Sequence, residues 1–136
     1  MSARSKARKA ALDLLYEGDI RKTSASALMA QRLTDIEYVI REFTKELIDG
    51  IEANRRKIDE LITTYSQGWD MDRMPVIDRN ILRIGIYEVL WSKDVPEAVA
   101  ISEALELAQT LSTEDSSKYI NGVLSKIVEI KSDLVV

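Results

Sequence analysis

The sequence predicts an all-α fold of seven helices, and three observations support this. Apolar residues recur at helical spacing along most of the chain. The 136 residues include only two Pro and five Gly, the residue types that most often interrupt helices. No segment shows the alternation of apolar and polar residues that is typical of strands. The length suits one domain, residues 1–136, with a core that needs no disulfide.

Two helices are predicted in the first third of the chain. The first spans residues 2–17, and residues 18–23 interrupt it. Its apolar face consists of Ala7, Ala11, Leu14 and Leu15. Ser24 or Ser26 then caps a short second helix that ends near Leu33.

A long third helix and a fourth helix are predicted next. Thr34 and Glu37 form a capping-box pattern, which places the start of the third helix at Thr34 and its end near Ile51. Its apolar positions are Ile36, Val39, Ile40, Phe43, Leu47, Ile48 and Ile51. Asn54 is the predicted cap of the fourth helix, which runs up to Gly68.

The fifth helix, residues 76–91, is predicted to lie at the centre of the fold. Ten of its sixteen residues are apolar or aromatic, so other helices must cover most of its surface. Glu88 lies within it and is expected to form a hydrogen bond or to pair with an Arg inside the core. A sixth helix follows Pro96, and Thr113 or its neighbour Ser112 caps the seventh.

The positive charge of the chain is concentrated at its N-terminus. Residues 1–9 contain four basic side chains and no acidic one, whereas the remaining residues carry 15 basic and 23 acidic side chains. These four residues, called here the basic arm, are Arg4, Lys6, Arg8 and Lys9. The last three are predicted to project from the polar side of the first helix, with Arg4 at the border.

Two interpretations of the basic arm remain open from composition alone. The start of a helix favours acidic residues, so the four cations are not there to stabilise the helix. They form either a local phosphate-binding site on an acidic body or a solvated, frayed terminus with incidental charge.

The composition argues against an enzyme and against a membrane protein. The chain has no Cys, which excludes disulfides and thiolate metal sites, and no His, which removes the commonest general base and metal ligand. Two acidic pairs, Asp70 with Asp72 and Glu114 with Asp115, lie where turns and helix N-termini favour carboxylates. We expect no catalytic residue, metal or cofactor. No apolar run reaches the roughly 20 residues that span a bilayer, and a cytoplasmic location is expected.

Several blocks of sequence at consistent spacing carry a resemblance to a known family. They are residues 69–73, 77–88, 95–108 and 114–124, together with the basic segment that precedes residues 10–16. The chain resembles the NusB family of transcription antitermination factors over essentially its whole length. The resemblance implies a seven-helix domain made of two packed small helical bundles, with the central helix in the second.

The resemblance also implies a function in transcription. Such a protein binds the single-stranded boxA element of nascent ribosomal RNA leader transcripts together with the ribosomal protein NusE, and helps RNA polymerase to resist termination. Within this family both monomers and homodimers are expected, and the sequence leaves the oligomeric state open.

The resemblance assigns roles to individual residues. The positions expected to bind RNA are Arg4, Lys6, Arg8, Asp115, Lys118 and Tyr119, with Lys9 as an additional cation. Ser5 departs from the Arg that is often found at its position in the family. Tyr119 either stacks on a base or belongs to the core. Tyr16, an exposed aromatic, and Asp78 match positions at the family's NusE interface.

Two other functions stay open. The chain is also similar to the RNA-binding domain of ribosomal RNA cytosine methyltransferases, although it contains no Cys nucleophile and no cofactor domain. A helical adaptor that binds only proteins, with an idle basic arm, is the third interpretation. If four phosphates are neutralised, the log–log salt dependence of RNA binding should have a slope of about -3.

Overall fold

The computed structural model describes residues 2–135, in which seven α-helices, two short 3-10 turns and no strand are present. Helices α1 to α7 span Ala3–Arg21, Ala25–Arg32, Glu42–Ala53, Arg55–Tyr65, Val76–Trp91, Glu97–Leu111 and Glu114–Ile130. The 3-10 turns are Met71–Arg73 and Lys131–Asp133. The prediction of an all-α, seven-helix fold is confirmed. Between residues 2 and 135, none of the helices has the length and apolar character needed to span a bilayer.

Three helices begin at hydroxyl caps, and the sequence predicts those of α2 and α7. The side chains of Ser2, Ser24 and Thr113 each accept the backbone N–H three residues further on, at 3.0, 3.1 and 3.0 Å respectively. Each bond satisfies one of the amide groups that have no partner within the helix. The cap at Ser2 fixes α1 from its first turn, so the basic arm is helical and is not an extended tail.

The start of the third helix is predicted wrongly. Helix α3 begins at Glu42, and residues 34–41 form turns and irregular structure. The Thr34 hydroxyl donates to the carbonyl of Gln31 at 2.7 Å and so closes the end of α2 instead of capping α3. Ile36 and Val39 are 97% and 84% exposed, whereas Ile40 packs against the core.

The end of the first helix also differs from the prediction. Helix α1 continues through Gly18 to Arg21 and ends where Lys22 takes a left-handed conformation, with φ of 56°. A Cβ atom at Gly18 would lie 2.7 Å from the carbonyl oxygen of Thr23, so the glycine allows the chain to turn back closely at this point.

Helix α5 is the centre of the fold, as predicted. Eleven of its sixteen residues are buried, and it contacts α1, α3, α4, α6 and α7. Helices α1 to α3 contact one another on one side, and α4 to α7 form the larger group that contains α5. Gly85 lies against Leu124 of α7, whose methyl groups occupy the space a Cβ would need.

A partly buried ionic network joins α1, α4 and α5. Asp19 accepts hydrogen bonds from Arg83, Arg79 and Asn80 at 2.7, 3.0 and 2.9 Å, and Arg83 also donates to Asp59 at 2.8 Å. Burial alone would raise the pKa of Asp19, but the charge of Arg83 and these hydrogen bonds outweigh burial and lower the pKa to about 2. The network therefore holds the C-terminal half of α1 against the second group of helices.

Candidate nucleic-acid interface

The basic arm lies on the first turns of α1, where α1 packs against α3 and α5. The hydroxyl of Thr44 on α3 donates to the carbonyl of Ala7 at 2.9 Å, which shows how closely the two helices approach here. Residues of the arm therefore point in different directions, some toward solvent and some into the contact between the helices.

Arg8 points into this contact, and the prediction that it projects from the polar side of α1 is wrong. Its side chain is only 3% exposed and makes a bidentate ion pair with Glu88, with the shortest distance 2.7 Å. Its remaining nitrogen lies 3.3 Å from Glu103. The expectation that Glu88 pairs with an Arg in the core is thus confirmed, and the Arg is one of the four arm residues.

The burial of Arg8 has a clear physical cause and consequence. The position lies between α3 and α5, and Phe43 of α3 covers the guanidinium at 5.2 Å from its ring centroid. Burial raises the pKa of Glu88, against the opposing effect of the Arg8 charge. Removing either partner would leave an uncompensated buried charge, so Arg8 is held in place and is not available to a phosphate in this structure.

Arg4 is at the surface, but it also has a carboxylate partner. Its guanidinium donates to Asp94 in the loop between α5 and α6 at 2.7 Å, and the two side chains are 45% and 64% exposed. One face of the guanidinium lies over the Phe43 ring, with Cζ 4.5 Å from the ring centroid. Cation–π contact and the ion pair together give Arg4 a defined position at the surface.

Lys6 and Lys9 complete the basic arm. Lys9 is 39% exposed and pairs with Asp13, one turn further along α1, at 2.8 Å. Lys6 is exposed and has no carboxylate within ion-pair distance among residues 2–135. Three of the four arm cations are therefore neutralised within the molecule, and Lys6 is the one that stays unpaired within the described part of the chain.

The remaining predicted RNA-binding residues lie at the start of α7 and are called here the α7 edge: Asp115, Lys118 and Tyr119. Asp115 and Lys118 are exposed, as an RNA contact requires. Tyr119 is partly buried, with its ring edge-to-face against Trp69 at 4.5 Å between centroids. Its hydroxyl is buried without a hydrogen-bond partner in the described chain. The ring also lines an open depression of about 440 Å³ beside Tyr65, Gln67 and Lys126.

The basic arm and the α7 edge lie toward opposite ends of α5. The arm contacts Glu88, near the C-terminal end of α5, whereas the start of α7 contacts Asp78, near its N-terminal end. Ten residues separate these positions, which is about 15 Å along a helix axis. The two sets of residues predicted to bind RNA are thus separate patches, and no single small site contains them both.

A groove runs along α1 in two adjoining parts. One part lies between α1 and α6 and is lined by residues that include Ser5, Lys9 and Leu111. The next part, called here the Tyr16 cleft, has a volume of about 410 Å³ and shares Lys9 and Leu111 with the first. It is lined by Lys9, Asp13, Tyr16, Pro75, Val76, Ile77 and Leu111. Tyr16 is 41% exposed, so the prediction that it faces solvent is confirmed.

Asp78 is not at the surface, which contradicts its prediction as a residue that contacts a partner directly. Its side chain is fully buried and accepts hydrogen bonds from the hydroxyls of Ser112 and Ser116, both at 2.6 Å. These bonds fix the turn between α6 and α7 against the start of α5. Asp78 can therefore influence the neighbouring surface only through the position of these elements.

Sequence reasoning missed the acidic residues that face the basic arm. Asp94 and Glu103 lie 90 or more residues away from the cations they contact, and neither belongs to a recognisable local pattern. Asp13 was detectable, because an acid four residues after Lys9 lies on the same side of a helix, and Glu88 was expected to meet an Arg that the sequence did not identify.

The fold and the exposed part of the basic arm define a small all-helical protein with a candidate nucleic-acid surface. The model of the NusB family matches residues 5–129. A relative from Thermobifida fusca, called transcription antitermination protein NusB, is 47% identical over 132 residues, which are 97% of this chain and 93% of the relative.

Solved structures agree with this relationship. The structure of NusB from T. maritima superposes with a TM-score of 0.82 at 32% identity, covering 98% of this chain and 99% of the other. A chain from a crystal structure of the antitermination factors NusB and NusE in complex with dsRNA has a TM-score of 0.79 at 26% identity. That match covers 93% of this chain and 96% of the other. The chain belongs to the NusB family.

Proposed function

We propose that this protein is a cytoplasmic antitermination factor that binds boxA RNA of ribosomal RNA leader transcripts together with the ribosomal protein NusE, as part of an RNA polymerase antitermination complex. The observation that carries the proposal is Lys6, an exposed cation without a carboxylate partner in residues 2–135, on the rigid first turns of α1. Related NusB has been crystallised with NusE and dsRNA, which supports both partners.

The phosphate contacts are proposed to come from the exposed cations of the arm. Lys6 binds a phosphate directly, while Arg4 and Lys9 exchange their carboxylate partners for phosphate oxygens. Arg8 positions α1 through its buried pair with Glu88 and makes no RNA contact. Three contacts correspond to a salt slope of about -2, which is smaller than the slope of about -3 expected from the sequence.

The α7 edge is proposed as a second, weaker RNA contact. Lys118 is exposed and has no carboxylate partner between residues 2 and 135, which suits a phosphate. The Tyr119 ring already packs on Trp69, and its other surfaces line the open depression, where an unpaired base can stack. Asp115 lies beside them and would accept hydrogen bonds from base amino groups.

The Tyr16 cleft is proposed as the NusE contact. It combines an exposed aromatic anchor with apolar walls from Val76, Ile77 and Leu111, the composition found at the centre of many protein interfaces. Lys9 lines both the cleft and the adjoining groove along α1. NusE bound there would therefore lie next to the RNA held by the arm.

The test is a fluorescence-anisotropy titration of labelled boxA and scrambled RNA with the full chain, with and without NusE. Lys6→Gln is expected to weaken boxA binding several-fold and to reduce the salt slope by about 0.7. The matched control is Arg56→Gln, which removes the same charge from an exposed position on α4, outside both patches.

Two results would contradict the proposal. Equal weakening by the two variants would show that overall charge, and not the arm, governs binding. An absence of boxA binding even with NusE would favour the adaptor that binds only proteins. Analytical ultracentrifugation of the free chain and of the NusE complex would establish whether a homodimer forms, and whether it competes with NusE.

A further inference from the structure

The exposed ion pair between Arg4 and Asp94 joins two distant parts of the chain. It links the first turn of α1 to the loop between α5 and α6, across 90 residues of sequence, at 2.7 Å. The loop is short and well anchored, because the N–H of Val95 donates to the carbonyl of Ser92 at 3.3 Å and the Val95 side chain is buried. Asp94 is therefore held at the place where it meets Arg4.

A carboxylate in this position presents the same kind of group to Arg4 as an RNA phosphate does. Guanidinium groups bind carboxylate and phosphate oxygens with similar geometry. An N–H group of Arg4 that donates to a carboxylate is therefore not available to a phosphate. Phe43 fixes one face of the Arg4 guanidinium, which leaves the edge that Asp94 now occupies as the place for an anion.

The other ion pairs of the arm differ from this one. The pairs of Arg8 with Glu88 and Glu103 involve a buried guanidinium and hold the helices together, and the pair of Lys9 with Asp13 lies within one helix. Of the four pairs, only Arg4–Asp94 is both long-range and exposed on both sides, with 45% and 64% of the side chains accessible. Removing Asp94 therefore frees a cation without disturbing the core.

We infer that Asp94 competes with RNA phosphate for Arg4 and so limits the affinity of the basic arm for RNA. This inference rests on the proposed RNA-binding function. RNA binding at Arg4 requires that the Asp94 contact opens, and the released carboxylate then lies beside the incoming phosphate and repels it. Asp94 is thus a negative determinant of affinity that lowers non-specific binding by the arm.

The test compares Asp94→Asn with the wild-type full chain in the boxA anisotropy titration at several salt concentrations. Exposed ion pairs have modest strength, so the variant is expected to bind about two- to five-fold more tightly. The salt slope should stay close to the wild-type value of about -2, because Arg4 meets a phosphate in both complexes. The gain in affinity should shrink as salt rises, because screening weakens the Arg4–Asp94 pair that competes in the wild type.

Matched variants separate the local effect from the change in net charge. Glu60→Gln removes the same charge from an exposed position on α4. It should change the affinity for boxA only slightly, because it frees no cation of the arm. Asp94→Glu keeps the carboxylate and should bind as the wild type does. In an Arg4→Gln background, Asp94→Asn should have no more effect than Glu60→Gln, because the cation it would release is gone.

The outcomes distinguish the two claims. If the wild type binds boxA but Asp94→Asn binds no more tightly, or gains as much in the Arg4→Gln background, the inference about Asp94 is overturned and the proposed function stands. If neither wild type nor Asp94→Asn binds boxA at low salt, with or without NusE, both are overturned. Circular dichroism confirms that every variant compared is folded.

Discussion

Asp19→Asn is the most direct test of how α1 is held in place. Asp19 faces Arg83, Arg79 and Asn80, its side chain is only 14% exposed, and its pKa is lowered from 3.8 to about 2. A carboxyl group with a pKa depressed by this amount stabilises the folded state by about 2 kcal/mol at neutral pH. Asn preserves the shape but not the charge, so the variant should unfold about 2 kcal/mol more easily at pH 7.

The pH dependence of stability gives a sharper test than the loss of stability at pH 7. Because the folded pKa is depressed, the stabilisation is fully present above the unfolded pKa of 3.8 and is lost as pH falls through about 2. The difference in free energy of unfolding between wild type and Asp19→Asn should therefore narrow by about 1 kcal/mol between pH 7 and pH 3. The assay is urea unfolding followed by far-UV circular dichroism at each pH.

A control variant isolates the network from general acid effects. Asp70→Asn changes an exposed carboxyl group that makes no ion pair in the described chain, so its difference from the wild type should stay small at every pH. A difference for Asp19→Asn that stays constant from pH 7 to pH 3 would refute the reasoning, because it would mean that Asp19 titrates alike in the folded and unfolded states.

Three further outcomes are expected. Gly50→Ala should lower Tm, because its Cβ would lie 2.2 Å from the Tyr87 ring and overpacking costs about 1 to 3 kcal/mol. Gly122→Ala, on α7 with open space around it, should raise Tm, because Ala favours the helix more than Gly does. Tyr16→Ala should weaken NusE binding in calorimetry by about 2 kcal/mol while the helical circular dichroism stays unchanged. Asp78→Ala should instead lower Tm by leaving the hydroxyls of the buried Ser116 and the partly buried Ser112 without their carboxylate acceptor, with a loss of about 1 to 3 kcal/mol in urea unfolding.

The helices that the core covers were predictable from the sequence, and the segment outside the core was not. The apolar run of α5 identified the central helix because burial on most sides leaves a compositional signal. Residues 34–41 carry equally good local signals, a capping-box pattern and apolar residues at helical spacing, yet they are not helical. Helix stability depends mainly on tertiary packing, and Ile36 and Val39 have no surface to pack against.

The candidate site shows the same division between local and long-range information. The position of the basic arm follows from composition, and the exposure of Tyr16 follows from its place off the apolar face of α1. The burial of Arg8 depends on Glu88, 80 residues away, and the pairing of Arg4 depends on Asp94. Periodicity within one helix shows which residues share a face, but it does not show which distant helix will cover that face.

The N-terminal cap of α1 has a thermodynamic consequence for recognition. Many basic arms that bind nucleic acids are disordered and fold on contact, which gives a large negative heat-capacity change and an ordering penalty. Here the Ser2 hydroxyl, the Phe43 ring and the buried Arg8 pair fix the backbone before any ligand arrives. Calorimetry of RNA binding should therefore give a heat-capacity change close to that of rigid-body docking. Association should also be fast and driven by electrostatic attraction between the arm and the RNA.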